Sequence, residues 1–396
     1  MLNENENPVT EPFDEGSEEN FIPAPSADKR WRYRPKKTFR GGNYSVNVPD
    51  VSALTGANKL ELKLIKKYHP DSKGIRKVAC LSGLLMLCVV FLPTAIAYGP
   101  IISGNTYFRY IFYPFVLVSR LLDSIFSVEI VAEINQIIYS TTLFTLPFIF
   151  FAWCFKFKLR QTVAFSAPKK GTVLPFLFLG VGFCAFANIA SSSLTSFFES
   201  IGFNSPVSAG SQQPEGILGF IIVMISTSFI PGMVEEFAFR GVLYGVLKKY
   251  GEGFAIIATS ILFGVLHGNI VQIPFAFVVG LGLGYIRAKT GSVWICIAVH
   301  AINNAISVLY QYPLSQLNQE LENITYTIYL CVAMILSILG VCLISSKNSE
   351  EDFYILKRET TCHKRAVSSL FYTHPTIIIF FSVVALSLLG SWGYRG

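Results

Sequence analysis

Long apolar runs, set apart by short polar and basic patches, fill the chain from Val78 onward. Nine of them read as membrane helices: 78–98, 136–155, 172–197, 216–247, 254–268, 271–286, 292–310, 325–345 and 375–393. A bilayer core takes about 20 apolar residues per crossing, so the pattern predicts an all-α, polytopic membrane helical bundle with about eight or nine transmembrane helices. Runs 254–268 and 271–286 are short and are parted only by a break around Asn269 and Ile270. Such a pair can turn back within the membrane where neighbouring protein satisfies its freed backbone groups. Segment 108–126 has another pattern. Arg109, Arg120 and Asp123 share one helical face, while Phe108, Ile111, Phe115, Val118, Leu122 and Ile125 cover the other, which predicts a helix lying in the outer interface. Gly241/Gly245, Gly264/Gly268 and Gly280/Gly284 have the spacing that lets membrane helices approach closely, a spacing that also arises by chance in Gly-rich helices.

The first 50 residues have no such pattern. Seven acids crowd the first twenty positions, and seven basic residues fall within Lys29–Arg40. A segment so polar and so rich in Pro, Gly, Ser and Asn buries too little apolar surface to fold. Its basic part, with Trp31 and Tyr33, suits anionic lipid headgroups and equally suits a solvated linker. A short surface helix is expected over Ala53–Tyr68. The organisation predicted is therefore a largely disordered cytoplasmic tail (1–77), N-terminal spans with the interfacial helix (78–171), a central membrane core (172–311) and C-terminal spans (312–396).

Composition removes the soluble alternatives. Of 396 residues 52% are hydrophobic and only 14% charged, against about 25% charged in soluble domains. The net charge of +7 might suggest nucleic acid, but the basic residues sit between apolar runs, so no nucleic-acid partner is expected. With the tail inside, the cytoplasmic loops hold fourteen Lys or Arg and the outer segments hold only Arg109, Arg120 and Arg395. That bias predicts a cytoplasmic N-terminus in a multi-pass protein of the plasma membrane. The first long apolar run begins only at Val78, so no cleavable signal peptide is expected. The eight cysteines form no CxxC pair and read as small buried hydrophobes.

Ionisable residues deep in an apolar helix cost roughly 2.5–3.5 kcal/mol each and need a reason. One dense set occurs: Glu235, Glu236 and Arg240 in run 216–247, Phe263 and His267 in 254–268, and His300, Asn303 and Asn304 in 292–310. Counted from the basic loops on one side, Glu235, His267 and His300 all lie about 16–20 Å deep at 1.5 Å per helical residue. Three helices thus offer polar groups at one level. Arg240 follows Glu236 by four residues and is placed to pair with it. Glu235, turned about 100° away, is left free to act as a general base. His267 shares a face with Phe263, and His300 with Asn304; an imidazole and an amide on one face can hold a water or metal and stabilise an oxyanion. The competing readings are a structural polar knot and a proton-coupled transporter. A transporter would show interrupted helices in two corresponding halves, and no such repeat is visible. There is no HExxH, GxSxG or phosphate loop.

These residues resemble the three motifs of the CAAX protease and bacteriocin-processing (CPBP, or Abi) family: Glu235-Glu236-xxx-Arg240, Phe263-xxx-His267 and His300-xxx-Asn304. The flanking FRGVLYG, LFGVLHGN and GLGLGYIRAKTGSVWICIAVHAINN agree, and the resemblance spans roughly 172–311. It implies an all-helical intramembrane endopeptidase acting on membrane-associated or lipidated peptides. On that resemblance Glu235 activates water, His267 and His300 complete the site, and Asn304 stabilises the oxyanion. Glu236 joins the site through its pair with Arg240, and Phe263 supports it. Glu235, His267 and His300 are a candidate Zn²⁺ set, and equally a set that orients a water without metal. Members with non-proteolytic roles, such as bacteriocin immunity, keep a scaffold function open. The expected partners are membrane lipid and a membrane-bound peptide or protein substrate.

Overall fold

The computed structural model describes residues 69, 71–103, 121–122, 124–156, 163, 165–201, 214–311, 319–347, 360 and 362–391. The tail, most of the expected interfacial helix 108–126 and the segment joining runs 292–310 and 325–345 lie outside the described residues. What is described is all helical: α1 (Asp71–Ser103), α2 (Val128–Cys154), α3 (Val173–Ser200), α4 (Gly216–Tyr250), α5 (Glu252–Leu266), α6 (Gln272–Thr290), α7 (Trp294–Gln311), α8 (Gln319–Lys347), α9 (Lys364–Tyr372) and α10 (Pro375–Ser391). Each of the nine apolar runs is a helix.

Length and composition mark part of the expected set as crossings on their own. Among the described residues five helices (α1, α2, α3, α4 and α8) are long and apolar enough to cross a membrane, and α9 with α10, bent by 60°, makes six if the pair is one span. Three further expected spans pack against α3, α4 and one another. Helices α5 and α7 are short, and α6 carries Arg287 and Lys289 in its last turn. A helix surrounded by other helices is apolar on all sides whether or not it spans. Between α5 and α6 the chain reverses at Gly268 (φ +61°), and the Asn269 side chain accepts from the backbone N–H of Val271 at 2.9 Å to start α6.

Helix α6 packs on α5 and α3, α7 on α4 and α3, and α8 on the outside of α3. Helices α1, α2, α9 and α10 form the other flank. One apolar cluster joins that flank to α4 and α5 through Phe148, Phe151, Phe239, Leu243, Phe371 and Phe380. A second fills the space between α3, α6 and α7. Helix α4 crosses α7 at Gly232. A Cβ there would stand 3.0 Å from the Ala301 nitrogen and 3.2 Å from its Cα, so only glycine permits this approach. Gly280 likewise seats α6 against Ser260 of α5.

Helix α4 is not wound uniformly. Met224–Phe229 and Phe237–Leu243 are π-helical, flanking an ordinary α segment, Ile230–Glu236. Such wide turns are rare and are often found at functional sites. Each hands a backbone carbonyl to a neighbouring helix: Thr227 O receives Asn304 Nδ2 at 3.1 Å, and Arg240 O receives Arg287 Nε at 3.1 Å. The cysteines correct one expectation. All eight are free thiols, but Cys88, Cys331 and Cys342 face outward from the bundle, whereas Cys362, outside the apolar runs, is fully buried.

Candidate active site

The two adjacent glutamates diverge because consecutive helical residues point about 100° apart. Glu236 is fully buried, and Glu235 retains 17% of its side-chain exposure. Arg240 Nη1 donates to Glu236 Oε1 at 2.7 Å, the pair expected from the i, i+4 spacing. The same oxygen does more than the spacing indicated. His300 Nδ1 donates to it at 2.9 Å from α7. One carboxylate oxygen thus fixes both a cation on its own helix and an imidazole on another.

That contact also sets the imidazole's polarity. A carboxylate only accepts, so Nδ1 carries the proton and neutral His300 leaves Nε2 bare. Nε2 lies 4.0 Å from Glu235 Oε2. Glu236 thus aims His300 at Glu235. Glu236 Oε2 and Arg240 Nε and Nη2 are buried without a protein hydrogen bond. The guanidinium is stabilised instead by lying 4.4 Å from the centre of the Phe263 ring.

Phe263 is the hub of the site. Besides Arg240, its ring meets His267 edge-on at 4.9 Å, His300 at 6.0 Å and Phe239 at 5.1 Å. His267 ends α5, and its Nδ1 donates to the Phe263 carbonyl at 2.8 Å, which leaves its Nε2 bare as well. All the residues singled out by sequence thus belong to one region of the fold, α4, α5 and α7. His267 joins the others through Phe263 rather than through a carboxylate.

This arrangement does not fit the candidate metal set. Among the described residues no three His, Cys, Asp or Glu side chains come together as a metal site requires. His300 and His267 each bond through Nδ1 and keep Nε2 bare, the form a metal ligand takes, but they do not converge with Glu235 on one point. No chemical step is therefore routed through an ion.

Asn304 sits four residues beyond His300 and is anchored by its Nδ2 on Thr227 O, in the first π turn. Of its supports, the sequence pointed to Asn303 but not to Asn188, Ser226, Ser228 or Glu133. Asn303, 6% exposed, donates Nδ2 to Asn304 Oδ1 at 3.2 Å and accepts from Asn188 Nδ2 of α3 at 3.4 Å. Ser228 Oγ ties α4 to the Ala301 carbonyl at 2.7 Å, and Glu133 of α2 accepts from buried Ser226. The available signal was a lone polar residue, Asn188 or Glu133, in or beside an apolar run.

With this geometry in place, the chain can be compared with known proteins. Residues 217–306 match the family described as Rce1-like, Type II CAAX prenyl endopeptidase Rce1-like. This is a shorter stretch than the 172–311 of the motif resemblance; it covers α4 to most of α7 and leaves out α3. A Bacillus subtilis (strain 168) protein named "Putative membrane peptidase YdiL" is 26% identical over 106 residues. The match covers 26% of this chain and 43% of that relative, less than half of its length. No solved structure matches the chain significantly.

Proposed function

With residues 217–306 carrying a core of the CAAX protease and bacteriocin-processing family, we propose that the chain is an intramembrane endopeptidase in which Glu235 activates a water. The observation that carries this reading is the pairing of Glu235 Oε2 with His300 Nε2 at 4.0 Å, His300 being held from behind by Glu236. Polar groups separated by more than about 3.5 Å are commonly bridged by one water. Both facing atoms are acceptors, so such a water donates a hydrogen to each and its lone pair is left to attack.

In this mechanism Glu235 takes a proton as the water oxygen bonds to the peptide carbonyl carbon. The carbonyl electron pair moves onto oxygen, where an Asn304 N–H meets the developing charge. Collapse restores the carbonyl and breaks the C–N bond, and the proton on Glu235 passes to the leaving amine. The products are a shortened chain ending in a carboxylate and a free amine. Glu236 and Arg240 take no proton; they fix the direction of His300. His267 offers its bare Nε2 from the end of α5 as a further acceptor.

The substrate class is a membrane-bound peptide or protein, including one with a lipidated C-terminus, reached while the enzyme is embedded in lipid. The basic bias of the loops supports a cytoplasmic N-terminus. The test uses purified protein in lipid nanodiscs with two quenched-fluorescent probes: a prenylated peptide ending in a CAAX sequence and an unmodified transmembrane peptide. Cleavage of either, absent in a folded Glu235→Gln variant, supports the proposal. Cleavage of neither, or cleavage that survives Glu235→Gln, overturns it.

A further inference from the structure

The Asn304 amide is held at both ends. Thr227 O is a backbone carbonyl and only accepts, so Asn304 must present its NH₂ group there. Its Oδ1 therefore faces Asn303, which presents its own NH₂ at 3.2 Å. That in turn leaves Asn303 Oδ1 to receive Asn188 Nδ2 at 3.4 Å from α3. The hydroxyl of Tyr329, on α8, interacts with the Asn188 side chain. The three amides run head to tail, with one sense fixed by the Thr227 carbonyl. Amides in such a row polarise one another.

The consequence concerns one hydrogen. An amide held only at its nitrogen can turn about the bond to its Cβ, and the second N–H of Asn304 would sweep an arc. With Oδ1 held by Asn303 the plane is fixed, and that N–H keeps one direction. Asn303 is 6% exposed and buried between α7 and α3, so water does not easily replace it. Oxyanion donors act by being aimed before the charge develops, so a displaced donor loses transition-state stabilisation without altering substrate binding.

We propose that Asn303 and Asn188 are positioning residues for the hydrolysis, holding the Asn304 amide by its oxygen so that its free N–H meets the oxyanion. This rests on the reading of Asn304 as the oxyanion donor. It also assigns a task to α3, which lies outside the matched segment 217–306.

A kinetic double-mutant cycle on whichever probe is cleaved, using the full chain in nanodiscs, tests the proposal. Asn304→Ala is expected to lower kcat by ~100-fold, and Asn303→Ala by ~10-fold with KM unchanged. The double variant should be no slower than Asn304→Ala alone, because Asn303 acts only through Asn304. Asn188→Leu should lower kcat in the same direction by a smaller factor, and its effect should also vanish in the Asn304→Ala background. If Asn303→Ala does not give folded protein, Asn303→Ser and Asn188→Leu carry the same cycle. A double variant slower than Asn304→Ala by the full Asn303→Ala factor overturns the proposal, as does an effect confined to KM. An Asn304→Ala variant with unchanged kcat removes the donor reading beneath it, and loss of the Glu235 dependence removes the protease reading; each is a separate result from additivity.

Discussion

Glu236 of α4 and His300 of α7 meet at 2.9 Å on the same carboxylate oxygen that holds Arg240 at 2.7 Å. Neither Glu236 nor Arg240 has any exposed surface. The knot is therefore both a fold element and an aiming device, and substitutions within it should separate these two tasks.

Arg240→Ala leaves a buried carboxylate and a buried histidine without their cation. Breaking a buried pair from one side costs about 3–5 kcal/mol. The expected outcome is little or no monodisperse protein on size exclusion in mild detergent. Arg240→Lys keeps the charge but not the planar group stacked on Phe263, and should give folded protein with a lowered thermal midpoint.

Glu235→Gln should behave in the opposite way. Glu235 is partly exposed, and its ionisable neighbour is His300, with Nε2 4.0 Å from Oε2. Its thermal midpoint should stay close to that of the parent chain while cleavage is lost. Glu236→Gln loses the charge that orients His300, so it should show lowered stability and lowered kcat together. Equal destabilisation by both glutamine variants would contradict this division.

Gly232 holds the crossing that brings α4 and α7 together. A valine there has no space against the Ala301 backbone, and overpacking of this kind costs about 1–3 kcal/mol. Gly232→Val should lower the thermal midpoint, and kcat should fall as well because the Glu236–His300 contact crosses this interface. A variant that lost stability but kept kcat would show that the site tolerates movement between the helices.

Chelation provides a further test. Since the donor groups do not gather as a three-ligand site, cleavage should survive removal of divalent metal, verified by elemental analysis of the purified protein. Loss of activity that returned only with stoichiometric Zn²⁺ would show that His267 and His300 rearrange to bind metal.

Topology can be read directly. Lys364 is exposed at the start of α9, within the last stretch, 346–374, that charge assigns to the inside. A cysteine at this position in a cysteine-free chain should react with an impermeant reagent only from the cytoplasmic side. Reaction from outside would invert the map around α9.

The sequence showed clearly those features that depend on a single helix. The Glu236–Arg240 pair follows from four-residue spacing, and the all-helical membrane class follows from the apolar runs and scarce charge. Features set between helices were hidden. The bond from His300 to Glu236 depends on a crossing at Gly232 that spacing along either helix cannot reveal. Hydropathy alone does not separate a short helix packed among others, such as α5, from a crossing. The wide turns of α4 left no compositional mark, since MISTSF and FAFRGVL suit an ordinary helix equally well.

Those wide turns make residue count, rather than side-chain identity, a determinant of the site. A π turn accommodates one more residue than an α turn over nearly the same rise. Removing one residue between Met224 and Phe229 would let the stretch close into a regular helix, with Ile230–Glu236 still able to reach its present level. The released Thr227 carbonyl would return to its own helix, and Asn304 would lose its anchor. A one-residue deletion would thus leave the bundle, the ion pair and the glutamates in place while freeing the Asn304 amide from its anchor. Length variation in this stretch would then tune the rate of the reaction without touching any residue that takes part in it.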